Sequence, residues 1–207
     1  MDDEAVGSWL AALASSDPAP GGGAAAALEV AMGAALVEMV CNLTIGKPAF
    51  AEHEATMQEV RARADELRKQ ATLLAAEDAD AFTAVIAAYR LPKETGEEKT
   101  ERAARIQSAL AVAADVPRRT AAAASEVLDL AERLVPDANP NVISDAGAAA
   151  GAARGALQTA LLNIDANLAS LTDAALVQEL EQAEETIRRD LARADAVVDA
   201  VRARMSA

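Results

Sequence analysis

An acidic residue interrupts an apolar stripe in the middle of this sequence, and it is the clearest candidate for a chemical role. Apolar residues recur there in alternating steps of three and four, a spacing that predicts one long helix from about Ala49 to Arg90. The stripe contains Met57, Val60, Ala64, Leu67, Ala71, Leu74, Ala81 and Val85. Asp78 takes the position after Leu74. A carboxylate on such a face is costly unless it is paired or hydrogen-bonded, so Asp78 is a candidate for proton transfer.

A loop rich in proline and glycine precedes the most apolar part of the chain. Residues 16–23 read Ser-Asp-Pro-Ala-Pro-Gly-Gly-Gly. The loop ends with Pro20, Gly21, Gly22 and Gly23, which favour a non-helical backbone that a ligand can approach closely. The GxxxxGK[ST] pattern of a P-loop is absent and no strand precedes the glycines, so the loop does not indicate a nucleotide site. A buried central helix is predicted from Ala24 to about Gly46, where nearly every residue is small or apolar.

A row of small and polar residues marks the helix predicted from about Val142 to Ala169. At successive spacings of four it contains Gly147, Gly151, Gly155, Thr159, Asn163 and Asn167. The two asparagines lie one turn apart and can present donors and acceptors side by side. Interhelix hydrogen bonds would explain them equally well. Together with the glycine loop and Asp78, however, the row indicates a pocket for a flat, polar molecule.

Other candidate groups are scattered along the chain. They are Lys47, Lys93, Asn139, Asn141, Ser144 and Asp145. Helix capping explains the polar residues from 141 to 145, and surface charge explains the lysines. The only histidine, His53, stands between two glutamates and suggests neither a metal site nor a catalytic triad. The only cysteine, Cys41, is expected to be a buried core thiol.

Composition predicts the class of fold. Aromatic residues make up 2% of the 207 residues, so the core must consist of Ala, Leu, Val and Ile, which favours closely packed helices. We expect an all-α bundle of five to six antiparallel helices around an Ala/Gly-rich central helix, forming one domain over 1–207. A net charge of −14 argues against nucleic acid as a partner. No membrane-spanning role is expected, since two glutamates interrupt the apolar helix, and a cytoplasmic location is expected.

Helix boundaries follow from the breaker residues. A short packing helix is expected from Asp2 to Ala14, with Val6, Leu10 and Leu13 on one face. A further helix is expected from Glu97 to about Leu134, with a kink at Pro117. The last helix should follow a break and cap at residues 171–173 and end near Met205.

Several motifs, taken in order, resemble those of the cyclodeaminase/cyclohydrolase family. They are the loop 16–23, Ala-Met-Gly-Ala-Ala-Leu-Val at 31–37, Met-Val-Cys-Asn-Leu-Thr-Ile-Gly-Lys at 39–47, the acid-to-Phe segment 78–82, Leu-Pro-Lys-Glu-Thr at 91–95, Glu-Glu-Lys at 97–99 and Asn-Pro-Asn-Val-Ile-Ser-Asp-Ala at 139–146. The family comprises the C-terminal domain of formiminotransferase-cyclodeaminase and stand-alone bacterial methenyltetrahydrofolate cyclohydrolases. The 39–47 and 141–146 segments are more similar to the stand-alone enzymes.

The resemblance implies a site and an activity. It implies a homodimeric helical bundle that binds a tetrahydrofolate derivative beside the glycine loop, without metal or other cofactor. Asp78 and Lys47 are implied as catalytic residues. The implied substrate-binding residues are Pro20, Gly21, Gly22, Gly23, Lys93, Asn139, Asn141, Ser144, Asp145, Asn163 and Asn167. Cyclodeaminase members often have arginine where this chain has Lys47 and an aromatic residue where it has Ile45.

The expected activity is hydrolysis of 5,10-methenyltetrahydrofolate to 10-formyltetrahydrofolate. Two alternatives remain open at this point. One is formiminotetrahydrofolate cyclodeaminase activity, which releases ammonia to form the same methenyl species. The other is a helical folate-binding or scaffold protein without catalysis, which composition and helix pattern alone would fit equally well.

Overall fold

Residues 5–206 of the chain are described by a computed structural model, and over that range the regular structure is entirely helical. Six α-helices and two short 3₁₀ helices form a bundle. The helices are α1 Val6–Leu13, α2 Gly22–Asn42, α3 Glu54–Tyr89, α4 Gly96–Leu134, α5 Ile143–Leu168 and α6 Ala174–Met205, with 3₁₀ turns at Pro48–His53 and Pro140–Val142. The expected all-α bundle is confirmed.

Helix α2 is the centre of the bundle. It packs against α3 on one side and α5 on the other, and α4 lies beneath it. Gly33 allows this close approach, because a Cβ there would lie 3.0 Å from Val127 Cγ1 and 3.2 Å from the Ala149 carbonyl oxygen. Alanine and glycine in α2 therefore bring three helix backbones together where larger side chains would separate them.

The ends of two helices differ from the sequence-based prediction. Helix α2 begins at Gly22 rather than Ala24, so Gly22 and Gly23 lie in its first turn, where little helical propensity is needed. It ends at Asn42, before Gly46, whose φ of 75° is left-handed. The long helix predicted from Ala49 starts instead at Glu54, because Pro48–His53 forms a 3₁₀ turn with a non-helical residue at Phe50.

The short first helix packs differently from the prediction. Within the described residues it starts at Val6, and the Asp2 start that was predicted lies outside them. Val6 and Leu10 are exposed rather than inward. Trp9 instead packs on a small apolar cluster formed by α2, α3 and α4. The indole holds more apolar area than either aliphatic side chain, which accounts for its inward position.

The inward face of α3 agrees with the predicted stripe. Its buried members are Met57, Val60, Ala64, Leu67, Ala71, Leu74 and Ala81. Within the residues described, α2 is the one helix long and apolar enough to cross a membrane by length and composition. Of its most apolar 18-residue segment, 56% is buried in the bundle. A core helix meets the same criterion.

Asn139 links the α4–α5 connector to the segment at the C-terminal end of α2 through hydrogen bonds. Its side chain donates from Nδ2 to the Leu43 carbonyl oxygen at 2.9 Å and accepts from the Asn141 backbone amide at 3.1 Å. Its own backbone amide donates to Thr44 Oγ1 at 3.1 Å. Asn139 is 2% exposed, so these hydrogen bonds replace water and stabilise the connector.

We expect Asn139→Ala to lower the free energy of unfolding by about 1–3 kcal/mol, because it leaves the Leu43 carbonyl and the Asn141 amide without their partners. Urea unfolding measures this loss. Asn141→Ala is the matched control, since the Asn141 side chain is exposed. Equal stability of the two variants would contradict a structural role for the Asn139 amide.

Candidate active site

A cavity of about 370 Å³ opens at the N-terminal end of α2. Its floor is the glycine loop and the first turn of α2, and its walls come from α3, α4 and α5. The lining residues are Pro18, Ala19, Gly21, Gly22, Gly23, Asp78, Ala81, Phe82, Val85, Leu110, Ala113, Pro117, Asn163, Ala166 and Asn167. This volume and mixture of apolar walls with few polar groups are typical of small-molecule sites.

Asp78 lies directly against the first turn of α2. A Cβ built on Gly23 would lie 2.0 Å from Asp78 Oδ1 and 2.5 Å from Cγ, so only glycine leaves room for the carboxyl group. The backbone amide of Ala24 donates a hydrogen bond to that group. The free amides at a helix N-terminus favour negative charge, which orients the carboxylate at the cavity wall.

Burial raises the pKa of Asp78 above its ordinary value of 3.8, and the Ala24 hydrogen bond opposes the shift without cancelling it. Within residues 5–206, no lysine, arginine or histidine nitrogen lies within 4.0 Å of this carboxylate. A half-buried acid without a cationic partner holds a proton more readily than an exposed one. Asp78 therefore has the properties of a proton acceptor and donor in a cavity.

Asn163 and Asn167 stand on the opposite wall, one turn apart on α5. Their Nδ2 groups donate to the backbone carbonyls of Thr159 at 3.0 Å and Asn163 at 2.8 Å. These bonds fix the carboxamides and leave their Oδ1 atoms as acceptors at the cavity. The structure thus brings together the glycine loop, Asp78 and both asparagines, as the sequence-based prediction required.

Pro117 adds a further acceptor to the wall. Because proline has no backbone N–H, the Ala113 carbonyl lacks the amide partner that a helix supplies four residues later. Both residues line the cavity. The backbone oxygen of Ala113 therefore lacks its usual helical donor beside the cavity.

The remaining predicted site residues lie away from this cavity. Lys47, Asn139, Asn141, Ser144 and Asp145 lie near the C-terminal end of α2, which is 21 residues long. Helical rise places that end about 30 Å from the glycine loop. In one chain the two groups therefore do not contact the same small molecule. Asn139 is moreover occupied by structural hydrogen bonds.

Two further predicted site residues, Pro20 and Lys93, lie closer to the cavity. Pro20 belongs to the glycine loop, between the lining residues Ala19 and Gly21, but does not itself line the cavity. Lys93 is in the connector after Tyr89, the last residue of α3. Tyr89 lies 11 residues beyond Asp78, about 16 Å along the helix. Lys93 is therefore at the outer tip of the α3–α4 pair, beyond the cavity.

The apolar walls were not predicted as site residues. Phe82 and Val85 follow Asp78 at spacings of four and seven, which places them on the same face of α3. This spacing was available in the sequence. Leu110 and Pro117 are buried residues of α4, but their place in a cavity wall depends on how α4 packs against α5.

Two other ionisable groups, Cys41 and Glu29, are less suited than Asp78 to a catalytic role in the cavity. Burial raises the pKa of the Cys41 thiol to about 12, so it is a poor nucleophile. Glu29 also has a pKa raised by burial, and its Oε2 packs against Gly155 without a hydrogen-bond partner, but it does not line the cavity. Across the described residues, no group of three His, Cys, Asp or Glu side chains is arranged to hold a metal ion.

Comparisons with known proteins find relatives that match most of this chain. The chain is 49% identical over 177 residues to the methenyltetrahydrofolate cyclohydrolase of Methylorubrum extorquens, an alignment that covers 86% of this chain and 85% of that protein. It is 33% identical over 171 residues to the formimidoyltransferase-cyclodeaminase of Mus musculus. That alignment covers 83% of this chain but only 32% of the mouse protein.

The fold is also that of a solved relative. The structure of formiminotetrahydrofolate cyclodeaminase from Thermotoga maritima matches with a TM-score of 0.84 and 26% identity, covering 99% of this chain and 97% of that one. The family model described as formiminotransferase-cyclodeaminase matches residues 5–186. The chain therefore belongs to the formiminotransferase-cyclodeaminase family.

Proposed function

We propose that this protein is a methenyltetrahydrofolate cyclohydrolase, which hydrolyses 5,10-methenyltetrahydrofolate to 10-formyltetrahydrofolate. The observation that carries the proposal is the 49% identity, over 86% of the chain, to a protein of that name. The cavity supports it independently. It joins a half-buried acid to fixed amide oxygens and apolar walls, as a flat, cationic, hydrogen-bonding substrate requires.

The substrate suggests what Asp78 does. The methenyl bridge is an amidinium-like cation between N5 and N10 and is electrophilic at carbon. An ionised Asp78 attracts this cation, and the absence of a competing cation within 4.0 Å, among the residues described, leaves its charge available. Electrostatic stabilisation of this kind is strong in a site from which water is largely excluded.

Hydrolysis then needs three proton transfers, two of which pass through Asp78. A water molecule attacks the methenyl carbon as one of its protons moves to Asp78, forming a C–O bond and a neutral tetrahedral adduct. The C–N5 bond breaks, its electron pair goes to N5, and Asp78 returns the proton to N5. The adduct's hydroxyl proton leaves to solvent as the formyl C=O forms on N10. The reaction consumes one water, releases one proton and transfers no electrons to or from the protein.

The asparagines and the Ala113 carbonyl supply recognition. The pterin ring presents N–H donors at its edge, and the Oδ1 atoms of Asn163 and Asn167 are acceptors held in fixed orientation by their bonds to α5. Phe82 is 47% exposed at the cavity and offers an aromatic surface to a planar ring. Gly21, Gly22 and Gly23 let the substrate approach the α2 backbone closely.

A cyclodeaminase activity is the second candidate, because the solved relative with a TM-score of 0.84 carries that name. It would use the same acid to protonate a leaving amino group. Lys47 in place of arginine, and Ile45 in place of an aromatic residue, favour the hydrolase.

We expect the purified protein to remove the near-ultraviolet absorbance of methenyltetrahydrofolate rapidly. With formiminotetrahydrofolate we expect no ammonia release at a comparable rate, which a coupled ammonia assay measures. Faster ammonia release would replace the first proposal with the second. A folded protein that binds folate but catalyses neither reaction would support the binding-protein alternative.

We expect Asp78→Asn to lower kcat on the order of a hundredfold or more, as loss of a positioned acid–base group does. Thermal melting of the same variant separates chemistry from folding. Because the folded-state pKa of Asp78 is raised, its ionised form costs folding free energy, and this cost grows as the pH rises from 3.8 through the raised value. Asparagine removes the cost, so Tm at pH 7 should be unchanged or higher, and the difference should shrink toward pH 4.

A purely structural role for Asp78 predicts the opposite result in both measurements. If Asp78 only satisfies the Ala24 amide, the substitution should lower Tm at pH 7 while the folded fraction turns over at a near-normal rate. Glu77→Gln is the matched control, since Glu77 is the neighbouring exposed acid, outside the cavity and paired with Arg119. It should retain normal kcat.

We also propose that the protein acts as a cytoplasmic homodimer. The outer side of central α2 exposes Met32 (56%) and Met39 (38%), and Leu43 (40%), directly after the helix, continues a stripe that a second copy would cover. Packing of two α2 helices in opposite directions would bring Lys47 of a second copy toward the glycine-loop end of the first. A role for Lys47 in catalysis at Asp78 depends on such an arrangement.

Multi-angle light scattering at micromolar concentration should therefore give the mass of two chains. Met32→Lys together with Met39→Lys should shift the protein toward monomer, because two lysines on the stripe would repel their counterparts. A monomeric wild-type protein would contradict the proposal.

A further inference from the structure

Helix α1 is attached to the bundle far more loosely than the other helices. Among the α-helices of residues 5–206 it alone contributes no buried residue, and no other helix packs along its length. Val6 is 75% exposed and Leu10 is 52% exposed. Trp9 alone of α1 packs against an apolar cluster of the described residues. Because an eight-residue helix is marginal by itself in water, the position of α1 depends on that indole.

The loop that follows α1 is held no more firmly. Residues 14–18 are exposed, and the amides of Ala14 and Ser15 donate back to carbonyl oxygens of α1. The Asp17 amide donates to Ser15 Oγ at 3.0 Å, within the loop. Over the described range, no hydrogen bond or ion pair joins residues 5–20 to helices α2–α6. Trp9 is therefore the main non-covalent attachment of residues 6–21.

This weakly held segment forms part of the cavity boundary. Pro18, Ala19 and Gly21 line the cavity. The apolar cluster on which Trp9 packs contains Ala81, which also lines the cavity. Departure of Trp9 from the cluster would therefore uncover the cavity wall at Ala81 and free the loop at the cavity floor.

We propose that residues 6–21 form a flap that opens and closes the cavity, with Gly21 and Gly22 as the hinge and Trp9 as the contact that holds it closed. Glycine allows the backbone rotation that a hinge requires. Opening of a loosely packed segment takes less free energy than global unfolding, so the flap opens while the bundle stays folded. The role of the flap in admitting substrate and releasing product rests on the proposed function.

A movable boundary suits what this cavity has to do. The raised pKa of Asp78 depends on burial, so the cavity has to limit solvent around the carboxyl group. It also has to exchange a bulky ligand. A fixed boundary serves the first requirement and hinders the second, whereas a hinged one serves both.

Amide hydrogen exchange of the ligand-free protein measures the opening. We expect the hydrogen-bonded amides of α1 to exchange at least about a hundredfold faster than those of central α2. Protection of α1 equal to that of α2 would show that the segment is fixed, by the bundle or by a second copy, and would overturn the proposal.

A thiol placed under the flap tests whether the cavity wall opens with it. Ala81 is 6% exposed, so Ala81→Cys should react slowly with 5,5′-dithiobis(2-nitrobenzoate). Adding Trp9→Ala should accelerate this labelling about tenfold or more. The native Cys41 is buried and its pKa is about 12, so the wild-type protein should not react. Ala113→Cys, half-buried at the cavity wall and packed on the same cluster, repeats the measurement if Ala81→Cys does not fold.

Two matched variants, each combined with Ala81→Cys, isolate the role of the indole. Leu10→Ala removes an exposed side chain of α1, and Trp9→Phe keeps an aromatic ring. Both should label at close to the Ala81→Cys rate. Equal labelling of all the variants, Trp9→Ala included, would show that Trp9 does not hold the flap. Faster labelling of Trp9→Ala that is matched by an equal loss of global stability in urea would also overturn the proposal, because the thiol would then react through unfolding.

Turnover separates the flap from the catalytic proposal. With methenyltetrahydrofolate we expect Trp9→Ala to raise KM about three- to tenfold without lowering kcat, because an open flap retains the substrate less well. Leu10→Ala should keep the wild-type KM. A wild-type KM in Trp9→Ala would overturn the role of the flap in holding substrate. If the wild-type protein hydrolyses no methenyltetrahydrofolate, the proposed function fails, while exchange and labelling still decide whether the flap exists.

Discussion

The contact between Asp78 and the first turn of α2 is the constraint on which the site depends. A carboxyl group can lie against that turn only because residue 23 has no side chain. The Ala24 amide then offers a hydrogen bond that partly offsets the loss of water. The result is an acid held at a helix N-terminus in a cavity, with a pKa raised by burial and no cation beside it among the residues described.

Small residues also allow the helices of the core to approach one another closely. Gly33 lets α4 and α5 approach α2, and Gly155 admits the Glu29 side chain. Alanine makes up about half of the main buried cluster, and Val, Leu, Ile and Met supply nearly all the rest, so small residues allow close helix contacts that the larger side chains fill. Helices α3 and α4 run alongside the N-terminus of α2, where residues 78–85 and 110–117 line the cavity with the glycine loop, and both continue beyond these residues, to Tyr89 and back to Gly96. These two segments form two walls of the cavity.

Ion pairs occupy most of the basic side chains of this acidic chain. The chain is strongly acidic, and most of its arginines form ion pairs, some of which link neighbouring helices, such as Arg63 with Glu126 and Arg193 with Glu132. Exposed pairs of this kind contribute little stability individually. Their effect on the surface is to neutralise most of the basic side chains.

The sequence by itself determined the helices, the inward stripe of α3 and the anomalous acid within it, because these depend on propensity and on periodicity along a single helix. The family motifs indicated the same acid and the same activity. Only the tertiary structure decided that Gly22 and Gly23 begin a helix against Asp78, and that Asn163 and Asn167 face it across a cavity. It also separated Lys47 and Asn139 from that cavity by the length of α2. Which helix ends meet is set by relative helix lengths and packing between distant segments, and local sequence patterns do not encode these directly.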